Sequence, residues 1–513
     1  MAVRLSDSGN VVRIVDLLER AALHHPDRAG VAVLGGPELN FRGLRDRVLR
    51  IAGGLDAAGV ARGDRVALVA DNGLAFFDVY LAVAYLGAAA VPINTQLTRS
   101  ETDYILSNAE PRVTVADPQF LERVSPALAG ELKVTGSPTY DELTNAPLLP
   151  DIDRSKENDV ALVIYTSGTT GGPKGVCLTQ KGLAFNGLTM ALVQRFRGDD
   201  IYLSTTPLYH AATGTRVSSM LADCQTHVVL PKFSPEAFFE AVQKHRVTIT
   251  VVVPAQLRQL VDHPARPTHD LSSLRLIVYG AAPTAGPLIR RVHSEFGCDL
   301  YQGYGISECV TNLTGLLPED HDRAMHDRPE LLDSCGRVVQ GVRIQLRDPS
   351  GNDVPTGEVG EVWVQTEKVM AGYWRDPERT AEALVDGWFR TGDLARADAD
   401  GYYFIVGRLK DMLISGGVNV YPSEIEAVLY DHPAVQEVAV VGGPDPEWGE
   451  RPVAFVELAV PTDHSELETF CTQRLAKVKV PDAFIEVDEF PRTATGKIRK
   501  VELRARLAEG SGR

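Results

Sequence analysis

The stretch at residues 165–175, YTSGTTGGPKG, combines glycines and hydroxyl side chains with one lysine, Lys174. It follows an apolar, β-prone run at 160–164, which predicts a buried strand that enters a glycine-rich loop. Glycine lets a backbone turn sharply and approach a ligand closely, so such a loop can offer several N–H groups, hydroxyl donors and one ammonium. The pattern therefore predicts a cradle for a chain of phosphates.

This loop differs from the Walker A pattern, because Lys174 lies between Pro173 and Gly175 where that pattern has Gly-Lys-Ser/Thr. A glycine-rich stretch alone is equally well explained by a flexible surface loop. The full order of residues, however, resembles the signature loop of the acyl-adenylate-forming superfamily, which comprises acyl- and aryl-CoA synthetases, adenylation domains of peptide synthetases, and luciferases. The resemblance implies a set of ATP-binding residues: Thr166, Ser167, Gly168, Thr169, Thr170 and Lys174, with Thr169 also placed at the metal.

The segment 299–308, DLYQGYGISE, resembles a second motif of the same superfamily. The resemblance implies that Tyr304 stacks on adenine, that Gly305 and Ser307 lie at the nucleotide, and that Glu308 holds the Mg²⁺ carried by ATP. Mg²⁺ is well served by one carboxylate together with phosphate oxygens and water. Ser307 is not predicted to be a hydrolase nucleophile, because the second glycine of a nucleophile elbow is missing.

Small residues end another predicted strand at 274–283, LRLIVYGAAP. A tight turn explains them, and the resemblance implies in addition that Gly280 and Ala281 flank adenine and that Ala282 borders the acyl chain. The segments 370–374, MAGYW, and 386–393, DGWFRTGD, also match superfamily motifs. The second of them implies that Asp393 accepts hydrogen bonds from the ribose hydroxyls, although Thr-Gly-Asp alone is an ordinary turn.

Three later motifs concern the predicted small domain. The segment 401–411 resembles the hinge of the superfamily, which implies that Arg408 contacts the nucleotide and that Lys410 is the pivot. In the segment 412–426, Gly416 and Gly417 are implied to let a thiol arm pass the backbone closely, and the same pattern also fits a hairpin before a capped helix.

The last motif, 491–498, PRTATGKI, resembles the terminal lysine loop of the superfamily. The resemblance implies that Lys497 bridges the attacking carboxylate and the α-phosphate, where charge builds in the transition state. Lys497 is accordingly predicted to serve the adenylation step and not the later thiol step.

The segment 203–210, LSTTPLYH, predicts a strand that delivers an aromatic ring and an imidazole to its end, where open α/β sheets bind their ligands. The resemblance places His210 at the junction of acyl pocket and α-phosphate, so we count it with Lys497 and Glu308 as catalytic, without an acid–base role; the alternative is a hydrogen-bonded structural histidine. The implied pocket suits a medium chain or an aryl or arylacrylic acid better than acetate. Its residues are Tyr209, Ala212, Thr213, Val253, Gln256, Ala282 and Ile306.

Arg216 follows this segment and has two possible placements. Inside the pocket, its guanidinium can pair with a second carboxylate or a ring substituent of the substrate. On the surface, it is an ordinary solvated arginine. The sequence favours the surface placement.

Length and composition limit the class of protein. The chain has 513 residues, with 44% hydrophobic and 23% charged residues, so a globular protein of two or more domains is expected. A net charge of −16 argues against a nucleic-acid partner and against a basic membrane-binding face. Six scattered cysteines without a Cys-x-x-Cys pair suit a reducing compartment and offer no zinc site. The first ten residues lack an apolar signal core, and no run approaches the length of a membrane span, so a cytoplasmic protein is expected.

Strand-like and helix-like patterns alternate through the first part of the chain, which predicts an α/β fold with mostly parallel sheets covered on both faces. Between 121 and 156 the pattern weakens and we expect loops. Polar turns around 336–364 predict a small β-subdomain. We therefore predict a large N-terminal domain at 1–406 and a small, mobile α+β domain at 407–513 with its hinge at Lys410.

The resemblance extends over nearly the whole chain and implies an ATP- and Mg²⁺-dependent ligase. A carboxylic acid is expected to form acyl-AMP with release of pyrophosphate, after which a thiolate forms the thioester and AMP. Free coenzyme A is the favoured acceptor, since no carrier domain is fused. A separate carrier protein, another oxyanion substrate or amine acceptor, a luciferase-like oxidation and a non-catalytic nucleotide-binding regulator remain as alternatives.

Overall fold

The computed structural model describes residues 12–149, 151–166, 172–282, 284–492 and 498–510. The chain divides into two compact units, Met1–Arg343 with Val364–Phe389, and Ile344–Trp363 with Arg390–Arg513. The predicted domain boundary between residues 406 and 407 lies inside the second unit. It concerns the movement of the small domain, and it stays a prediction.

Short strands dominate the described part of the chain. In chain order they are β1 (Ala29–Val33), β2 (Glu38–Asn40), β3 (Arg65–Val69), β4 (Ala89–Pro92), β5 (Val113–Ala116), β6 (Glu131–Val134), β7 (Val160–Thr166), β8 (Lys174–Thr179), β9 (Ile201–Ser204), β10 (Thr226–Val229), β11 (Ile249–Val252), β12 (Leu276–Gly280), β13 (Asp299–Ile306), β14 (Thr311–Leu316), β15 (Arg337–Val338), β16 (Val342–Arg347), β17 (Gly360–Thr366), β18 (Gly372–Tyr373), β19 (Leu384–Val385), β20 (Trp388–Ala397), β21 (Tyr403–Arg408), β22 (Leu413–Ser415), β23 (Val418–Val420), β24 (Val435–Asp445), β25 (Gly449–Leu458) and β26 (Ala483–Glu486).

Helices separate most of these strands. In chain order the α-helices are α1 (Ile14–His24), α2 (Phe41–Ala57), α3 (Leu74–Leu86), α4 (Arg99–Ala109), α5 (Pro138–Thr144), α6 (Gln180–Val193), α7 (Ala211–Gly214), α8 (Arg216–Asp223), α9 (Pro235–His245), α10 (Pro254–Asp262), α11 (Gly286–Phe296), α12 (Pro318–His326), α13 (Pro377–Ala383), α14 (Pro422–Tyr430), α15 (His464–Thr472) and α16 (Lys500–Gly510).

Two large sheets belong to the first unit. The nine-stranded sheet has the order β15-β14-β13-β12-β11-β9-β10-β1-β2, with a parallel centre and antiparallel strands β14, β15 and β2 toward its edges. The seven-stranded sheet has the order β18-β8-β7-β4-β3-β5-β6, with antiparallel strands β8 and β18 at one side. Its helix α3 is apolar on all sides and almost wholly buried, as expected for a helix inside a large α/β layer. The predicted α/β fold class is confirmed, with mixed rather than purely parallel sheets.

Two smaller sheets complete the chain. One has the order β16-β17-β20-β19, with β21 paired to β20, and corresponds to the predicted β-subdomain. The other has the order β23-β22-β25-β24, with β26 paired to β25, and is mainly antiparallel. Its core joins strands β24 and β25 to α14 and α15 through Val440, Val456, Ile425 and Leu467, all fully buried. This segment has the predicted α+β character.

The expectation of loops at 121–156 is wrong for two elements. Strand β6 pairs in parallel with β5 at the edge of the seven-stranded sheet. Its sequence, Glu-Leu-Lys-Val, is half polar because an edge strand stays partly exposed, so it lacks the apolar run of a central strand. Helix α5 begins at Pro138, where the missing N–H of proline costs nothing.

No helix in the described ranges is long and apolar enough to cross a membrane.

Candidate active site

The first predicted ATP-binding residues lie on two paired strands of the first unit. Thr166 ends β7 and lies opposite Lys174, which begins β8. The Lys174 ammonium lies 4.9 Å from the centre of the Tyr373 ring, a distance at which a cation and an aromatic face attract each other. Ser167, Gly168, Thr169 and Thr170 lie outside the described residues.

Glu308, the predicted metal ligand, is held by residues of the segment 370–373. It lies in a one-turn 3₁₀ helix, Ser307–Cys309. The Tyr373 hydroxyl donates to Glu308 Oε1 at 3.0 Å, and the Met370 amide donates to the Glu308 carbonyl at 2.7 Å. Tyr373 therefore touches both Lys174, through its ring, and Glu308, through its hydroxyl. The cation that we predict to bind phosphate and the carboxylate that we predict to bind the metal thus both contact one aromatic side chain.

Tyr373 contacts two predicted site residues, and the sequence did not identify it as a candidate. Its motif, MAGYW, matches the superfamily, but nothing in the pattern gives the tyrosine a partner. The contact arises because β18 pairs with β8, the strand that begins at Lys174. Tyr373 lies opposite Val176 of β8, two residues after Lys174. Only this pairing of strands distant in sequence reveals the contact.

The residues around Glu308 fit Mg²⁺ that arrives with ATP better than a resident metal. In the described part of the chain, no three His, Cys, Asp or Glu side chains converge as a metal-binding group. Mg²⁺ keeps several waters and is commonly bound by one or two carboxylates plus substrate phosphates. One carboxylate beside Lys174 therefore matches the needs of a Mg²⁺–phosphate complex.

The predicted adenine edge is formed where β12, β13 and β14 approach closely. A Cβ atom on Gly280 would lie 2.3 Å from the Gly303 carbonyl oxygen, and one on Gly305 would lie 1.8 Å from the Thr311 carbonyl oxygen. Neither position accepts a side chain. Tyr304, between Gly303 and Gly305 on β13, lies opposite Thr314 of β14. The glycines thus bring backbone edges together beside the tyrosine that we predict to stack on adenine.

Non-glycine residues with positive φ lie at the same edge. Ala281, which directly follows β12, has φ of 67°, and Val310 and Thr311 have φ of 48° and 74°. Such left-handed conformations are unfavourable for side chains with a Cβ and persist where the surrounding structure imposes them, often at functional sites. Ala282, the next residue, is exposed. The turn after β12 and the turn before β14 are therefore both conformationally constrained.

His210 and Tyr209 lie side by side after β9. Their rings are 4.6 Å apart at an interplanar angle of 69°, an edge-to-face arrangement. The preceding Leu208 amide donates to Asn72 Oδ1 at 2.7 Å, and Asn72 Nδ2 donates in turn to the Thr206 carbonyl at 3.2 Å. Tyr209 is mostly buried, and burial raises its pKa. The loop that carries His210 is therefore fixed by its neighbours.

The other predicted pocket residues differ in what they can offer a substrate. Gln256 accepts from the Val253 amide at 3.1 Å and donates to the Thr205 carbonyl at 3.0 Å, so both ends of its amide are already bonded. Thr213 is fully buried and its hydroxyl bonds to that of Thr206. Ala212 and Ile306 are half-buried. The apolar atoms of this set are better placed for ligand contact than its polar ones.

Arg216 is not on the surface, so the placement that the sequence favoured is wrong. Its side chain is buried at the start of α8, where it donates to Gln194 Oε1 at 2.6 Å and lies 5.9 Å from the Tyr202 ring centre. The short segment before it, AATGT, has no clear apolar periodicity that could have indicated burial.

Lys368 is a second buried cation that the sequence did not indicate. It is 0% exposed, and its ammonium donates to the Asn312 carbonyl. Burial lowers the pKa of Lys368 to about 8. Asn312 lies opposite Gly305 on the neighbouring strand, so Lys368 supports the strand pair that carries Tyr304.

In the second unit, Asp393 and Arg408 face each other across β20 and β21. Arg408 Nε lies 2.7 Å from Asp393 Oδ1, and Asp393 is 4% exposed. The Asp393 backbone amide also donates to Thr391 Oγ1 at 3.0 Å. Both predicted nucleotide contacts are therefore arranged as an ion pair whose carboxylate is held in place.

The predicted hinge and thiol-tunnel residues follow in the same unit. Lys410 lies in a 3₁₀ turn, Leu409–Asp411. Gly416 and Gly417 connect β22 to β23 with φ of 56° and 80°, the two positive values that a tight two-residue hairpin turn requires. Their glycine identity is thus explained by the turn. Lys497 lies outside the described residues.

Comparisons with known proteins agree over nearly the full chain. The AMP-binding enzyme family model matches residues 18–374, and the AMP-binding enzyme C-terminal domain model matches residues 424–497. A feruloyl-CoA synthase of Amycolatopsis sp is 40% identical over 92% of this chain and 95% of its own length. An indoleacetate–CoA ligase of Aromatoleum aromaticum is 35% identical over 95% of each chain.

A solved structure is also similar to this chain over nearly its full length. The anthranilate–CoA ligase AuaEII, in complex with anthranoyl-AMP, superimposes with a TM-score of 0.89 at 29% identity and covers 98% of both chains. The match of fold, motif order and family models leads to one conclusion. The chain belongs to the AMP-binding enzyme family, within the acyl-adenylate-forming superfamily of acyl- and aryl-CoA synthetases.

Proposed function

We propose that this enzyme activates an aryl or arylacrylic acid with ATP and transfers the acyl group to coenzyme A. It is an AMP-forming acid–thiol ligase that uses ATP, Mg²⁺ and coenzyme A, as its relatives do. The choice of acid is supported by the 40% identity to a feruloyl-CoA synthase. The observation that carries the proposal is the arrangement of Lys174 and Glu308 around Tyr373.

On the phosphate side, we propose that Lys174 and Glu308 bind ATP and its Mg²⁺, and that Tyr373 orients both of these side chains. Lys174 supplies a positive charge for the phosphates of ATP, and its position is fixed by the Tyr373 ring. The Tyr373 hydroxyl occupies one oxygen of Glu308 and thereby sets the direction of its carboxylate. Bound Mg²⁺ would neutralise the charge that develops on the departing pyrophosphate. The residues thus lower the cost of separating pyrophosphate from AMP.

On the acid side, we propose that His210 and Tyr209 border the carboxylate that attacks the α-phosphate. Lys497 is proposed to stabilise the charge of that transition state, and a group in this role is worth about 10²–10³ in rate. The predicted roles of Asp393 at ribose and of Gly416 and Gly417 at the thiol remain part of the proposal. So does a small domain from residue 407 that pivots at Lys410.

We propose that the enzyme works in the cytoplasm, where ATP and coenzyme A are available. All six cysteines are free and buried, which suits a reducing compartment. A small acid, ATP and coenzyme A are the proposed partners.

The test measures release of pyrophosphate and formation of AMP with a panel of cinnamic, benzoic, arylacetic and medium-chain fatty acids, each with and without coenzyme A. We expect multiple turnover with one class of aromatic acid only when coenzyme A is present. Release of pyrophosphate without thioester formation would instead indicate a carrier protein or an amine as acceptor. No adenylate from any acid would contradict the proposal.

A variant pair tests the proposed lysine. Lys497→Ala is expected to slow adenylation about 10²–10³-fold. The same variant, given synthetic acyl-AMP, is expected to form acyl-CoA at close to the wild-type rate, because the second step does not need this group. Lys477→Ala, an exposed lysine in the same unit, is the matched control. Equal loss in both half-reactions would contradict the assignment.

A further inference from the structure

Arg216 is a buried cation with few partners. It is 6% exposed, and its guanidinium donates to Gln194 Oε1 at 2.6 Å. No carboxylate and no second hydrogen-bond acceptor contacts it within the residues that the structure describes. A guanidinium carries five N–H donors, so most of its donor capacity is unused. A buried charge without a counter-ion is unfavourable, and an anion placed there would be bound strongly.

Polar groups with unused capacity lie beside this cation. The Tyr202 ring is 5.9 Å from the Arg216 guanidinium, and its buried hydroxyl has no hydrogen-bond partner among the described residues. Ser219 is one helical turn after Arg216 and therefore on the same face of α8, and its buried hydroxyl also lacks a described partner. Buried polar atoms are nearly always satisfied in folded proteins. These atoms therefore indicate a place for the polar atoms of a ligand.

The chain connects this place to the acid end of the proposed pocket. Helix α7 begins directly after His210, Thr215 has right-handed helical dihedrals, and α8 begins at Arg216. The α-carbons of His210 and Arg216 are six residues apart, which corresponds to about 9 Å at the rise of a helix. The predicted pocket residues Ala212 and Thr213 lie between them. Arg216 thus follows the predicted pocket residues in the chain. It is separated by them from His210, which is proposed to border the carboxylate that is activated.

We propose that Arg216 binds a second anionic group of the substrate, a carboxylate several atoms away from the carboxylate that is activated. The inference rests on the proposed function and names its substrate class: an aromatic acid with a second acid group. The planar guanidinium can donate two parallel hydrogen bonds to a carboxylate, whereas a neutral hydroxyl offers one acceptor atom and no charge.

The test compares three acids that differ only at one ring position: cinnamic acid, 4-hydroxycinnamic acid and 4-carboxycinnamic acid. The readout is kcat/KM for AMP formation with coenzyme A. In the wild type, we expect at least a tenfold preference for 4-carboxycinnamic acid over cinnamic acid. In Arg216→Met, the ratio of the two kcat/KM values should fall about 10²-fold, the loss expected when one member of a buried charge pair is removed.

Two further variants make the result decisive. Arg216→Lys keeps the positive charge but cannot donate two parallel hydrogen bonds, so part of the preference for 4-carboxycinnamic acid should remain. This variant replaces Arg216→Met in the test if the methionine variant does not fold. Arg197→Met removes an exposed arginine near Gln194 and should keep the wild-type ratio. An equal loss of Arg216→Met on all three acids, or a wild-type preference for the hydroxyl acid or for cinnamic acid, would overturn the inference alone. Absence of AMP formation from every acid would overturn the proposed function as well.

Discussion

Lys368 provides a stability test that depends on pH. Its side chain is fully buried, and burial lowers its pKa to about 8, against an ordinary value of 10.5. Between these two pH values the unfolded chain binds more protons at this site than the folded chain. Stability therefore rises as the pH increases from about 8 to about 10.5, and the cost of burying the charged ammonium is fully present below pH 8. The gap between the two pKa values corresponds to about 3 kcal/mol.

The variant Lys368→Met removes the titrating group and keeps an unbranched side chain. It also leaves the Asn312 carbonyl without its donor, which costs about 1–3 kcal/mol at every pH. The pH dependence separates the two effects, since only the charge titrates. Relative to wild type, the variant should be most stable near pH 7 and should lose about 3 kcal/mol of that advantage by pH 10.5.

Thermal unfolding monitored by fluorescence measures this difference. For a unit of this size, 1 kcal/mol changes the midpoint by about 1 °C, so the difference between variant and wild type should change by about 3–4 °C between pH 7 and pH 10.5. Lys181→Met is the matched control, because Lys181 pairs with Glu367 at the surface and stays in contact with water. A difference that is constant across this pH range would refute the argument about burial.

Three further substitutions test the site. Tyr373→Phe removes the donor to Glu308, so the Mg²⁺ concentration for half-maximal activity should rise about tenfold, and an unchanged Mg²⁺ requirement would contradict the role of this hydrogen bond. Gly280→Ala places a Cβ 2.3 Å from a backbone oxygen of β13 and should abolish ATP binding or folding, whereas Gly198→Ala meets no atom within 4 Å and should be tolerated. Asp393→Asn should weaken ATP binding at least about tenfold in a calorimetric titration, and equal affinity would remove this residue from the nucleotide site.

The sequence predicts the parts of this enzyme that depend on local order. The order of glycines, hydroxyl groups and Lys174 indicates a phosphate loop, and the alternation of apolar runs indicates α/β layers. Glu308 and Asp393 are identifiable because each lies in an extended motif. These features require little knowledge of which strands become neighbours.

Contacts between distant segments are not predictable in this way. Tyr373 meets Glu308 only because β18 joins the edge of the seven-stranded sheet. Arg216 is buried because α8 packs closely on α6, where a Cβ on Gly187 would lie 2.5 Å from a backbone oxygen of α8. Lys368 follows Thr-Glu in a segment that has the composition of a polar turn. In each case tertiary packing, rather than local pattern, determines the environment.

The central claim is that the enzyme forms an acyl-adenylate and then a thioester. The most direct measurement mixes the enzyme with Mg²⁺–ATP and an aromatic acid without coenzyme A, stops the reaction within one turnover, and identifies the products by mass spectrometry. We predict one acyl-AMP and one pyrophosphate per active site, and conversion of the acyl-AMP to acyl-CoA and AMP when coenzyme A is added. Formation of ADP and phosphate would contradict the account. So would formation of acyl-CoA without any acyl-AMP, or with an acyl-AMP that reacts with coenzyme A too slowly to be the intermediate.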